Sequence, residues 1–192
     1  MASVIDFLEF KGQTTAPTLV LVGLHQNPDG SRNDLPAYSR ALSNCRAVLH
    51  RARARNISVA YARNIAPKSA SDRLHYPPWI SGFEPLRADM IFDMLQPSCY
   101  SNTEFVRAME YSNGNFAIAG LFGETTCLST AIDAYHRRHD FTYLFDASVC
   151  RNSGAIPAAV FHDAVSQVMS AYGKIMEGAE WSLSLSSNRR TQ

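Results

Sequence analysis

Short apolar runs alternate with longer amphipathic stretches along the chain. Residues 17–24 (PTLVLVGL) are an unbroken, largely apolar run, which suits a strand buried on both faces of a parallel sheet. From 36 to 56 the apolar positions Ala37, Leu42, Cys45, Val48, Leu49 and Ala52 fall near one face of a helix. Residues 57–62 (ISVAYA) read as the next strand, and 89–95 (DMIFDML) as a third. Between them, 64–89 carries Pro67, Pro77, Pro78, Gly82 and Pro85 and reads as a long loop of the kind that walls a binding site. Asn102 is placed to cap a helix that buries Phe105, Val106 and Met109 and stops at Asn113-Gly114. Residues 115–122 (NFAIAGLF) form the clearest central strand, followed by a helix over 124–138 and a strand over 141–145. A helix over 158–172 and a short strand at 173–176 complete the pattern, and the residues after 176 read as a tail that is polar from Ser186.

Strands separated by helices imply βαβ units, and hence a three-layer α/β/α domain around a mostly parallel sheet. The core is expected over 17–176, between an N-terminal arm (1–16) and a C-terminal tail (177–192). In such sheets ligands bind beyond the carboxyl ends of the strands. Chemistry is therefore sought near Leu24, after Ala62, near Leu95 and over 122–126.

Composition narrows the function classes. The chain has 192 residues, enough for one domain, with 46% hydrophobic and 18% charged residues and a net charge of +1. That balance gives no field to favour nucleic acid or an anionic membrane. Arg51, Arg53 and Arg55 have no interleaved aromatic residues and read as the basic end of a helix. No apolar run is long enough to span a bilayer, and the N-terminal residues lack the basic start of a signal peptide. Cys45, Cys99, Cys127 and Cys150 are widely spaced and form no zinc pattern. Reduced thiols and a cytoplasmic location are the expectation. His75 stands alone in the long loop, so neither a metal nor another cofactor is expected.

Three stretches at the expected strand ends carry a family pattern. LVLVGLHQN (19–27) resembles the first strand of the isochorismatase-like cysteine hydrolases, an apolar run ending in Asp-Met-Gln. MIFDMLQPSCY (90–100) resembles their strand that leads to a Lys and a Pro-Ser-aromatic turn. AIAGLFGETTCLSTAIDAY (117–135), with Gly120, Thr130, Ala131, Asp133 and Ala134 in fixed spacing, resembles their nucleophile segment. FDAS (145–148) is similar to the family's strand before an Asp-Ala-Cys turn. The resemblance implies a small-molecule substrate, a homo-oligomer (dimer or tetramer), and a Cys nucleophile at a helix N-terminus with an Asp base and a Lys. The physical logic is that a helix N-terminus and a cation favour the thiolate, the form that attacks.

This chain departs from the pattern at all three positions. Counting back from Gln26, the Asp position falls on Leu24. The Pro97-Ser98 turn puts the Lys position on Met94, or on Gln96 in a shifted register. The ungapped match from Gly120 to Asp133 puts the nucleophile position on Thr126. Leucine and methionine cannot relay a proton, and a threonine without a base is a poor nucleophile. If Gly123 is an insertion, Cys127 takes the nucleophile position instead. Otherwise Cys127 is a core side chain of the first helical turn. Glu124 reads either as a substitute acid or base or as a first-turn carboxylate complementing the helix dipole. His25 and Gln26 follow the first strand, and His25 could act as a base near Asp29. Phe122, Gly123 and Thr125 belong to the turn. Trp79, with Phe83, is a candidate wall or lid that could equally cover the core edge. No GxGxxG, P-loop or GxSxG motif is present.

Three functions remain open. The first is a degenerate member, a pseudoenzyme that binds a small molecule. The second is an active hydrolase of an amide or ester through Cys127 or a rearranged site with Glu124 and His25. The third is a structural or partner-binding subunit.

Overall fold

The computed structural model describes residues 17–26, 36–65, 74, 76–121, 123–151 and 156–187. In chain order the elements are β1 (Thr18–Val22), α1 (Pro36–Ala54), β2 (Val59–Asn64), β3 (Met90–Met94), α2 (Thr103–Tyr111), β4 (Phe116–Leu121), α3 (Leu128–His136), β5 (Phe141–Val149), α4 (Ala158–Met169), β6 (Lys174–Met176) and α5 (Gly178–Ser187). The strands form one six-stranded sheet in the order β3-β2-β1-β4-β5-β6. Every pairing in it is parallel. This is the α/β/α fold that the alternation of strands and helices predicts.

Side-chain alternation builds the two halves of the core. On β1, Val20 and Val22 point to one face and Leu19 and Leu21 to the other. The first face is covered by α2, α3 and α4 through Phe105, Met109, Ala131, Ala134, Val165 and Met169. The second is covered by α1 and α5 through Ala41, Cys45, Val48, Ala52, Trp181 and Leu185. Burial on both faces explains why β1 and β4 are apolar throughout.

Asn102 caps α2 as its sequence predicts, its side chain accepting the Glu104 and Phe105 amides. Three elements differ from the sequence reading. β5 runs on to Val149 because its register shifts between the pairs at Ile118 and Gly120, which admits extra residues around Asp146. The helix expected from Glu124 begins with a π-helical turn, Gly123–Cys127, before α3. The expected tail after 176 contains α5, which buries Trp181 and Leu185. Its first amide is held by the Asp146 carboxylate (Gly178 N to Oδ1, 2.7 Å), and Asn44 of α1 donates to the same aspartate.

Candidate functional site

The sheet order places a switch point between β1 and β4. The chain builds β2 and β3 on one side of β1, then crosses back to lay β4 on the other. Ligands in open α/β sheets bind in the crevice at such a point, beyond the carboxyl ends of the strands. In this chain that point lies where β1 ends at Val22 and β4 at Leu121. The two backbones are close enough at this end that only glycine fits at 120. A Cβ there would sit 2.1 Å from the Val22 carbonyl oxygen, and Gly120 has φ 131°.

One rim of the crevice is made by the segment after β2, which folds back onto the end of β1. His25 and Trp79 form an antiparallel bridge, Gln26 N donates to Pro78 O (2.8 Å), and Ile80 N donates to Leu24 O (3.1 Å). Trp79 meets the buried Tyr61 edge-on, with ring centroids 5.2 Å apart, so it covers the core edge as well as flanking His25. Arg63 lies over both the Trp79 and Tyr76 rings and is paired with Asp93 (2.8 Å). This cation stands one strand away from Met94, but a neighbouring carboxylate already neutralises it.

The three residues that the sequence resemblance pairs with the triad are all buried. Leu24 is 0% exposed, Met94 1% and Thr126 6%. They do not share one apolar cluster. Leu24 packs with Phe83 and the α1-side core, whereas Met94 packs with the core under α2 and α3. Gly23, with φ 66°, turns the chain between Val22 and Leu24 and sends the leucine to the α1 side.

Cys127 lies at the end of the Gly123–Cys127 turn and is fully buried among Cys99, Ala131 and Tyr143. Burial pushes its thiol well above the usual range, and the negative charge of Glu124 adds to the shift. A thiol so placed stays protonated, the opposite of what nucleophilic attack requires. Cys150, just past β5, is pushed up to about 12, first by burial and then by Glu124. Glu124 itself begins the helical turn. Its carboxylate accepts Arg151 Nε (2.7 Å) and the Arg151 amide (3.3 Å), and its side chain is 12% exposed. Thr125 is half-buried beside it, and Gly123 is buried against Tyr143 and Cys150. Gln96 is exposed on the chain leaving β3, and Gln26 is exposed at the end of β1. Phe122 and Asp29 lie outside the described residues.

The turn is braced from below. Ser98 donates to Asp133 of α3, and the Cys99 amide donates to Thr130 Oγ1 (3.0 Å). Two of the family-like stretches are thus tied together by the residues that carry the resemblance. His139 is bonded to the Tyr100 hydroxyl (2.7 Å) beside Arg137, away from the crevice. Among the described residues no group of His, Cys, Asp and Glu could hold a metal ion.

Sequence reading did not single out Arg151, Arg63 or Tyr143. Arg151 and Glu124 are 27 residues apart, and only the parallel pairing of β4 and β5 brings them together. Tyr143 reads from sequence as one more apolar position of a strand.

Residues 18–179 match the Isochorismatase domain family model. A search of the curated proteins found no match. Among solved structures, a cysteine hydrolase from Pseudomonas syringae pv. phaseolicola 1448A superposes with a TM-score of 0.79 at 20% identity, covering 90% of this chain and 93% of that one. An isochorismatase from Pseudomonas putida KT2440 gives 0.75 at 19% identity over 86% and 90% of the two chains. N-carbamoylsarcosine amidase from Thermoplasma acidophilum gives 0.68 at 18% identity over 85% and 96%. At these identities the structures speak for the fold, and the family model covers most of the sequence: the chain belongs to the isochorismatase family.

Proposed function

We propose that the protein binds a small organic molecule in the crevice beyond β1 and β4, and that it does not act on it through a cysteine thiolate. Family membership supports a hydrolase-type function at the level of the fold. The finer reading rests on one observation above all. The thiol nearest the family's nucleophile position, Cys127, is fully buried and held protonated by its surroundings. Leu24 and Met94 supply neither a proton relay nor a cation to reverse that.

A second reading has a specific observation in its favour. Glu124 is fixed at the start of the helical turn by Arg151 and keeps part of its side chain exposed. A carboxylate so placed could take a proton from water attacking a bound ester or amide, a thiol-free hydrolysis.

Two measurements separate these readings. The first is pH-dependent alkylation of the folded protein with iodoacetamide, read at Cys127 by peptide mass mapping. Labelling only after unfolding is the expected result. Fast labelling with an ionisation below neutrality would overturn the thiol-free reading. The second is a panel of simple esters and amides offered to the wild type, Cys127→Ala and Glu124→Gln. Binding without turnover supports the first reading. Turnover lost in Glu124→Gln and kept in Cys127→Ala supports the second.

A further inference from the structure

The turn between β3 and α2 is tied to α3 and the residues just past it at three points. Ser98 Oγ donates to Asp133, the Cys99 amide donates to Thr130 Oγ1 (3.0 Å), and the Tyr100 hydroxyl is bonded to His139 Nδ1 (2.7 Å). The third tie runs through an imidazole, the side chain whose charge changes near neutral pH. His139 is half-buried and lies against Gly114, where a Cβ would sit 2.5 Å from the ring carbon Cδ2. Tyr100 is 7% exposed and packs edge-on against Phe105, with the Arg137 guanidinium over its ring at 4.9 Å from the centroid. Burial keeps the Tyr100 hydroxyl protonated, so Tyr100 donates and neutral His139 accepts through Nδ1.

Protonating His139 undoes this arrangement. Nδ1 then carries a hydrogen of its own, and the Tyr100 hydroxyl loses its acceptor. A second cation also arrives at the ring that Arg137 covers. Burial is the largest influence against that charge, Arg137 adds to it, and Glu110 of α2 opposes it, which leaves His139 below the ordinary value of 6.5. Asp133, the acid that acts on Tyr100, is bonded to Ser98, and His136, Arg138 and Asp140 are exposed. The carbonyls of Asp133, Ala134 and Tyr135 at the end of α3 are taken by the amides of Arg137, Arg138 and His139, so the helix end gives a cation little compensation.

We infer that the Tyr100–His139 bond is an acid-sensitive latch on the 98–101 turn. With His139 neutral the bond holds the turn against α3, and with His139 charged the turn opens locally while the rest of the fold stands. The turn follows Met94 and Gln96 directly, so the latch governs the order of the chain leaving the carboxyl end of β3. It does not depend on what the crevice binds or on any chemistry there.

Cys99 reports on the turn, because it is fully buried within it, while Cys45 is fully buried under α1 and serves as the reference. The folded wild type is labelled with dithiodipyridine, and each cysteine is read by peptide mapping. The ratio of Cys99 to Cys45 labelling cancels the reagent's own pH dependence. The ratio is expected to rise about fivefold between pH 7.5 and 5.5, the weight of one hydrogen bond. That pH dependence should vanish in both His139→Gln and Tyr100→Phe. A wild-type ratio that stays level overturns the latch, and so does a rise that survives in His139→Gln, which assigns it to another group. Should the variants fail to fold, the wild type alone decides. The midpoint of its labelling ratio must match the titration of the His139 ring followed by proton NMR, and a mismatch sinks the proposal.

Discussion

At the scale of single residues, the side chains that the sequence resemblance pairs with the triad make a consistent set. A family catalyst keeps a charged Asp and Lys near a thiolate, and each charge justifies the others electrostatically. In this chain the sequence resemblance puts the Asp position on Leu24, which is fully buried in the α1-side core with Phe83. With the leucine goes the reason to retain a lysine at Met94, because an unpaired ammonium at 1% exposure would be strongly disfavoured. The consequence is testable. Leu24→Asp, which restores the family residue alone, buries a carboxylate with no cation and is expected to destabilise the fold by about 3 kcal/mol or more. Urea unfolding followed by circular dichroism measures it. A loss under about 1 kcal/mol would mean that position 24 opens to solvent and that the crevice is more polar than its buried residues indicate. The sequence alone raises the expectation of uncharged residues at the Asp and Lys positions, because a missing charge in a motif needs no structure to be noticed. It leaves the role of Cys127 open, since a one-residue difference in register separates a nucleophile from a core side chain.

At the scale of elements, patterns with strong local chemistry were legible and those set by distant contacts were not. The Asn102 cap and the apolar strands β1, β2 and β4 follow from local sequence alone. The far half of β5 and the whole of α5 do not. Asp146 interrupts the apolar run of β5 and reads as a turn residue, yet it lies within the strand and anchors another element. The serine-rich stretch 182–187 has weak helical signals, and only Trp181 and Leu185, four apart, mark its buried face. The anchoring argument predicts a specific loss. Asp146→Ala removes the acceptor for the Gly178 amide and the carboxylate contact of Asn44, which keeps its bond to the 146 carbonyl, and is expected to cost about 1.5–3 kcal/mol, the range for hydrogen bonds to a charged group. Because Trp181 sits on α5 at 3% exposure, its fluorescence should shift to the red in the variant before the rest of the fold melts. Coincident fluorescence and circular-dichroism transitions, unchanged from the wild type, would show that α5 docks by its apolar contacts alone.

At the scale of the whole molecule, the chain has the family's fold, and the positions that the sequence resemblance pairs with the catalytic charges are buried in core. That choice leaves a mark on how stability depends on pH. Cys45, Cys99, Cys127 and Cys150 are all free and buried, and burial is the first cause of the raised pKa at each. Cys99 and Cys150 are pushed up to about 12 from an ordinary thiol value of 9.0. Tyr61 is likewise pushed up to about 12 from 10.0 by burial, and Tyr100 and Tyr143 are raised as well. Well below pH 9 these groups are protonated in both the folded and unfolded chains and contribute no pH dependence. Above it the unfolded thiols release protons while the folded ones hold theirs, so the folded state binds more protons and loses stability as pH rises. Each thiol adds a slope of up to about 1.4 kcal/mol per pH unit between its unfolded and folded values. Urea midpoints in a thiol-reducing buffer at pH 7, 7.5 and 10 should therefore be level across the first two and fall clearly at the third. Replacing Cys150 with alanine should make that fall shallower without steepening it elsewhere. A midpoint that holds steady to pH 10 would mean that the thiols ionise in place. Cys127 would then have to be returned to the list of groups able to attack a substrate.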